Sequence, residues 1–168
     1  MIHVCSLARL HTTVETTGAR HIVTLINDQT KVVRPECVAE ADHLFLAMHD
    51  IAQEMEGYNA PAEVHVQRLI EFVTRWRRDT PIVVHCWAGI SRSTAGAFIT
   101  ACALNPSRSE ERIARAIRDA SATADPNPRL VALADRILGR NGRMIAALEG
   151  IGRGEPCAEG TPFRLDLE

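Results

Sequence analysis

The residues best placed to do chemistry are Cys86 and Arg92, in the run PIVVHCWAGISRSTAGAFITA at positions 81–101. An ionised cysteine is a nucleophile. An arginine fork can grip two oxygens of a tetrahedral oxyanion and neutralise charge that develops on it. Five residues separate the two, a weak signal in a chain with five cysteines and eighteen arginines. Cys102 and Arg108 repeat the spacing. That second pair lies in a helical stretch ended by Pro106, with no strand before it and no glycine within it.

Context separates the two pairs. Pro81 and the β-branched run at 82–84 predict a buried strand that delivers Cys86 to its carboxyl end, where open α/β sheets place ligands. Gly89 permits backbone angles that other residues resist. The amides of Trp87, Ala88, Gly89, Ile90, Ser91 and Arg92 can then turn inward as an anion nest. The apolar run that follows, 93–104, predicts a buried helix whose positive end faces the same point. In that field a cysteine is expected to ionise near neutrality. Ser93 is placed to donate to the sulfur and help it leave, or is simply a first-turn residue. His85 holds loop carbonyls through its ring, or is a satisfied core histidine. Trp87 is pocket rim or packing.

The remaining chain must position this loop. Residues 2–7 predict an edge or first strand, 8–17 a short helix ended by Gly18, and 20–26 a strand covered on both faces. Residues 27–41 read as loop, 42–48 as the next strand, ending at His49 and Asp50, and 51–60 as a functional loop. Pro61 fits the first turn of a helix carrying Val66, Leu69, Ile70, Val73 and Trp76 at helical spacing. After Asn105-Pro106, Ser107 and Glu110 form a capping-box pattern ahead of a stripe of Ile113, Ala116, Ile117 and Ala120. Asn127 caps a helix with Pro128 in its first turn, Leu130, Leu133, Ala134, Ile137 and Leu138 inward, and Gly139 at its end. A short helix at 143–148 follows. The pattern predicts an α/β fold: a mostly parallel central sheet flanked by helices, with a helix-rich C-terminal half. Residues 1–150 form one domain. Residues 151–168 form a Gly- and Pro-rich tail that frays or packs on it.

The chain has 168 residues and 18.5 kDa, enough for a core without disulfides or metal. Its net charge of -2 and pI of about 6.4 argue against nucleic acid or a membrane as partner. Lys31 is the single lysine. The cysteines (Cys5, Cys37, Cys86, Cys102, Cys157) are odd in number and irregularly spaced, unlike a disulfide framework or a zinc site. His3, His11, His21, His43 and His65 show no metal-ligand spacing, so neither metal nor cofactor is expected. No signal peptide or membrane-length apolar run is visible, and a reducing cytoplasm is the expected compartment.

The segment His85-Cys-Trp-Ala-Gly-Ile-Ser-Arg92-Ser93 resembles the His-Cys-x-x-Gly-x-x-Arg-Ser/Thr signature of the cysteine-dependent protein tyrosine and dual-specificity phosphatases. The likeness is closest to small, compact, bacterial-like dual-specificity members and covers roughly residues 22–138. It implies a phosphomonoester hydrolase in which Cys86 forms a phosphocysteine, Arg92 binds the phosphoryl oxygens and an aspartic acid protonates the leaving oxygen. By position Asp50 resembles that acid, since it ends the sheet strand before the helix leading to Cys86. Glu54 and Glu56 on the same loop are rivals, and His49 tunes the acid or is merely exposed. Asp125-Pro-Asn127-Pro resembles the element that braces the loop in dual-specificity enzymes, so Asn127 is a brace, a helix cap, or both. Cys5, near Cys86 in such a topology, either protects it as a reversible disulfide or is a buried spectator. No phosphotyrosine-recognition loop is evident, and Tyr58 is the only tyrosine. The expected substrate is a phosphorylated protein or a small phosphoester, and a monomer is expected. A phosphate-binding module without turnover, an arsenate reductase and a sulfur transferase are the competing readings.

Overall fold

The structure, a computed structural model, describes residues 1–167. Five strands form one sheet in the order β3-β2-β4-β1-β5. These are β1 (Ile2–Ser6), β2 (His21–Ile26), β3 (His43–Ala47), β4 (Ile82–Cys86) and β5 (Phe163–Leu165). The first four run parallel, and β5 joins β1 antiparallel. The helices are α1 (Leu10–Thr17), α2 (Glu63–Arg75), α3 (Arg92–Leu104), α4 (Glu110–Ala120), α5 (Pro128–Ile137) and α6 (Arg143–Ile151). This is the expected mostly parallel α/β architecture.

The continuous apolar strands follow from burial on both faces. Val4, Val23, Leu25, Ile82 and Val84 join the large core beneath α2–α6. Cys5, Ile22 and Val83 point the other way, to Leu10 and Val14 of α1. The alternation along each strand sorts one run of hydrophobes into two cores. Helix α3 lies against the middle of the sheet and is buried from Arg92 to Cys102. Gly96 sets its approach: a Cβ there would lie 2.9 Å from Val84 Cγ1 and 3.2 Å from Leu25 Cδ1.

Several boundaries differ from expectation. Of the two readings of residues 2–7, the structure keeps the first strand and not the edge, because β4 and β5 flank β1. The tail supplies β5, where Phe163 and Leu165 add to the core, so the Gly-rich segment leads into paired structure. Pro61 precedes α2 rather than opening it; Ala62 is the N-cap, and its amide donates to His65 Nδ1 at 3.0 Å. The cap of α4 is Ser109, whose hydroxyl accepts from the Arg112 amide at 3.2 Å, not Ser107. Glu110 turns inward, where it pairs with Arg140 at 2.9 Å and Arg143 at 3.2 Å. Arg140 also donates to the Cys102 carbonyl at 2.7 Å, which ties the end of α3 to the C-terminal helices. The residue three places on from a serine can form a box only if its side chain stays near the helix start. With Ser109 as the cap, Glu110 is the first helical residue and not the third, so it cannot close a box.

Among the described residues no helix is long and apolar enough to cross a membrane.

Candidate active site

Strand β4 ends at Cys86, which is 2% exposed, and α3 begins at Arg92, which is 6% exposed. The loop between them is held by its carbonyls. The Trp87 carbonyl accepts from the Leu7 amide at 3.2 Å, and Ala88 from Gly160 at 2.9 Å. The Ile90 carbonyl accepts from Asp125 at 2.9 Å, and Ser91 from Asn127 at 3.2 Å. The Gly89 carbonyl faces Gly160 closely enough that a Cβ there would meet its oxygen at 2.8 Å. In a trans peptide the carbonyl of one residue and the amide of the next point in opposite directions. Five outward carbonyls therefore leave the amides of residues 88–92 turned inward. The Gly89 amide shows it, donating to Cys86 Sγ at 3.3 Å.

Two local features make this possible. Gly89 has φ 73°, and a Cβ on it would sit 2.8 Å from the Cys5 carbonyl carbon and the Ser6 amide nitrogen. A side chain there is thus barred by conformation and by the backbone of β1. Ser91 is the N-cap of α3, yet its side chain makes no capping bond. Its hydroxyl donates to Asp50 Oδ1 at 2.8 Å instead. The first amides of α3 are left for an anion, which the helix dipole also favours.

Ser93 is fully buried, with Oγ 3.1 Å from Cys86 Sγ. A thiol donates across that contact; a thiolate accepts from the hydroxyl. Arg92 donates through one terminal nitrogen to the Met48 carbonyl at 2.8 Å. Its Nε is buried with no hydrogen-bond partner among the described residues. An unpartnered buried donor is costly in an ordinary core.

Asp50 follows β3 and stands at the rim. Its Oδ1 accepts from Ser91 Oγ and, at 2.9 Å, from Asn127 Nδ2. Asn127 also caps α5, its Oδ1 accepting from the Leu130 amide at 3.1 Å. One side chain therefore both caps and braces. Of the rival acids, Glu54 is engaged by Arg129 at 2.9 Å, away from the cup; Glu56 is exposed and lines a different depression, with Tyr58 and Arg129. His49 is half-buried and closes the acid loop: its Nδ1 accepts from the Asn59 amide at 2.9 Å, and its own amide donates to the Asn59 carbonyl at 2.8 Å. A cleft of about 520 Å³ opens beside Asp50, lined also by Ser91, Asp125, Asn127, Leu148 and Arg153.

His85 is buried, and burial holds its pKa down to about 4, so the ring is neutral. Its Nε2 lies 2.7 Å from Thr24 Oγ1, and its Nδ1 faces the Cys86 carbonyl at 3.4 Å. With Nδ1–H donating to that carbonyl, Nε2 accepts from the Thr24 hydroxyl, and His43 Nε2–H donates to Thr24 at 2.8 Å. Cys5 is buried in β1, next to Ser6, the register partner of Cys86. Burial pushes its thiol up to about 12, partly offset by a hydrogen bond with Thr13, which makes it a poor nucleophile. Trp87 is 62% exposed, so it forms rim and not packing.

The structure thus brings Cys86, Arg92, Ser93, Asp50, His85 and Asn127 to one end of the sheet. Sequence reading missed the Ser91–Asp50 bond, the Met48 carbonyl under Arg92, Thr24 behind His85 and Gly160 behind the loop. The run Ala158-Glu159-Gly160 carries no signal for a brace on Ala88, 72 positions upstream.

Residues 54–120 match the protein-tyrosine phosphatase family. No curated protein matches the chain. Among solved structures, the fold superposes on DUSP15 with a TM-score of 0.66 at 16% identity, covering 89% of each chain. Human DUSP28 gives 0.64 at 16% identity, over 83% of this chain and 89% of that one. PTPMT1, solved in complex with PI(5)P, gives 0.63 at 15% identity, over 83% of this chain and 91% of that one. The family match thus spans the Cys86 loop, and over most of its length the chain has the fold of the dual-specificity phosphatases.

Proposed function

We propose that the chain hydrolyses phosphomonoesters through a cysteinyl-phosphate, with a phosphorylated protein or small phosphoester as substrate. The observation that carries this is the cup itself: loop carbonyls tied outward, the Gly89 amide on Cys86 Sγ, and a buried Arg92 with an unpartnered Nε. A tetrahedral dianion satisfies both at once. The phosphoryl group seats on the inward amides, and Arg92 binds two of its nonbridging oxygens. The Cys86 thiolate attacks phosphorus opposite the leaving oxygen. As the P–O bond breaks, Asp50 gives its proton to that oxygen. Both bonds that orient Asp50 fall on Oδ1, so Oδ2 carries the proton. Asp50 then removes a proton from water, which attacks phosphorus. The P–S bond breaks, orthophosphate forms, and the sulfur leaves as a thiolate accepting from Ser93 and the Gly89 amide.

The test is turnover of an aryl phosphate by reduced protein in chelator, with intact-mass detection of a phosphoryl adduct on Cys86 after rapid acid quench. Cys86→Ser abolishes turnover and adduct while phosphate binding persists. Binding of phosphate without turnover in the unmodified chain would instead establish a binding module. Turnover of arsenate, or a persulfide on Cys86, would move the chain to the other thiolate enzymes.

A further inference from the structure

Beside the cup lies a second concavity of about 390 Å³, lined by Leu7, Ala8, Trp87, Ala88, Ala158 and Glu159. It is continuous with the phosphate loop, which supplies Trp87 and Ala88. Its other two walls are fastened to the same loop, through the Leu7 amide on the Trp87 carbonyl and the Gly160 amide on the Ala88 carbonyl. The groove and the cup are therefore one rigid unit. Trp87 presents a large apolar surface that folding leaves uncovered. The floor is aliphatic. The single charged lining residue is an acid, Glu159, whose Oε1 accepts from Ser6 Oγ at 2.6 Å and lies 3.8 Å from Arg9 Nε. No lysine or arginine lines the groove, and none lies between Cys86 and Arg92.

Resting on the phosphatase reading, we infer that this groove selects the substrate: it takes an apolar side chain flanking the phosphorylated residue of a phosphopeptide. An acidic neighbour or a second phosphate would face Glu159, whose charge Arg9 alone offsets from outside the groove. A bilayer surface needs a basic belt, and beside this groove stands Arg9 alone, already paired with Glu159. An extended peptide can set its phosphate in the cup and an adjacent side chain on Trp87, because the two sites share residues 87 and 88.

The test uses Cys86→Ser protein, which binds without turnover, and phosphotyrosyl peptides alike except for Leu or Asp at each of two positions on either side. Trp87 emission reports the groove; the other tryptophan, Trp76, is buried with its indole N–H on the Thr80 carbonyl at 3.0 Å. Leu at one flank is expected to bind about tenfold tighter than Asp there, as partial burial of one leucine against an indole implies, and to shift Trp87 emission to the blue. Ala158→Glu, at an exposed position, removes that preference and leaves phenyl phosphate binding unchanged. Equal affinities for Leu and Asp peptides at every position overturn the inference. So does preferential binding to phosphoinositide vesicles, or an alkyl phosphate that binds as tightly as the Leu peptide. Preference for Leu in a chain without aryl phosphate turnover would support the groove and refute catalysis, so the two readings fail separately.

Discussion

Asn127 performs two jobs that substitution can pull apart. Its Oδ1 caps α5 through the Leu130 amide, and its Nδ2 orients Asp50. Asn127→Ala removes both. Loss of the cap costs about 1 kcal/mol, which in a domain of this size lowers Tm by about 2–4 °C. Loss of the bond to Asp50 is a separate term. In the step that kcat/KM reads, Asp50 is the protonated acid, and a hydrogen bond to an uncharged group is worth about 0.5–1.5 kcal/mol. At the upper end the loss in kcat/KM is about tenfold. Asn127→Ser separates the terms, because a serine oxygen still caps but is too short to reach Asp50. The serine variant should melt close to the unmodified protein and still lose the tenfold. The loss should be greatest for alkyl phosphates, whose leaving oxygen needs the proton, and small for p-nitrophenyl phosphate. The backbone bond from the residue 127 amide to the Ser91 carbonyl survives in every variant, so loop collapse does not confuse the comparison. If Asn127→Ser keeps full activity on an alkyl phosphate, or loses equally on both substrates, Asn127 does not position an acid.

Three further expectations follow from the packing. Gly89→Ala places a Cβ 2.8 Å from two backbone atoms of β1 at φ 73°, and should lower stability by about 2–3 kcal/mol in urea unfolding with at least a matching loss of activity. Glu110→Ala strands the buried Arg140 and should cost about 3–5 kcal/mol by the same measurement, leaving activity on an aryl phosphate largely intact at temperatures where the chain stays folded. His85 binds its proton near pH 4 when folded and near 6.5 when unfolded, so the unfolded state holds more protons between those values. Stability should therefore fall as pH drops from 6.5 to 4, by about 3 kcal/mol from this group, and level off below pH 4. His3, His43 and His65, also lowered by burial, act in the same direction. A flat profile across that window would contradict the neutral, buried His85.

Local chemistry made much of this protein legible in its sequence. The run 82–86 has to be a strand, because β-branched residues favour extended backbone and nothing polar interrupts them. Gly89 and the apolar helix behind Arg92 mark an anion loop for reasons that operate within ten residues. Asn127-Pro128 marks a helix start in the same way. The position of Asp50 was legible too, since the end of a parallel strand lies at a known edge of the sheet. What tertiary structure alone decided are the contacts between distant segments. Glu110 opens α4 and pairs with Arg140 because burial of a charge demands a partner, and that partner is 30 residues away. Ser91 gave its hydroxyl to Asp50 and not to its own helix. The Gly-rich tail became β5 because β1 would otherwise have left a row of backbone groups unpaired, and in pairing there it brought Gly160 against the back of the loop. Periodicity and caps report the chain's local preferences. The direction of the loop carbonyls, and hence of the amides facing Cys86, depends on three segments that no window of sequence contains.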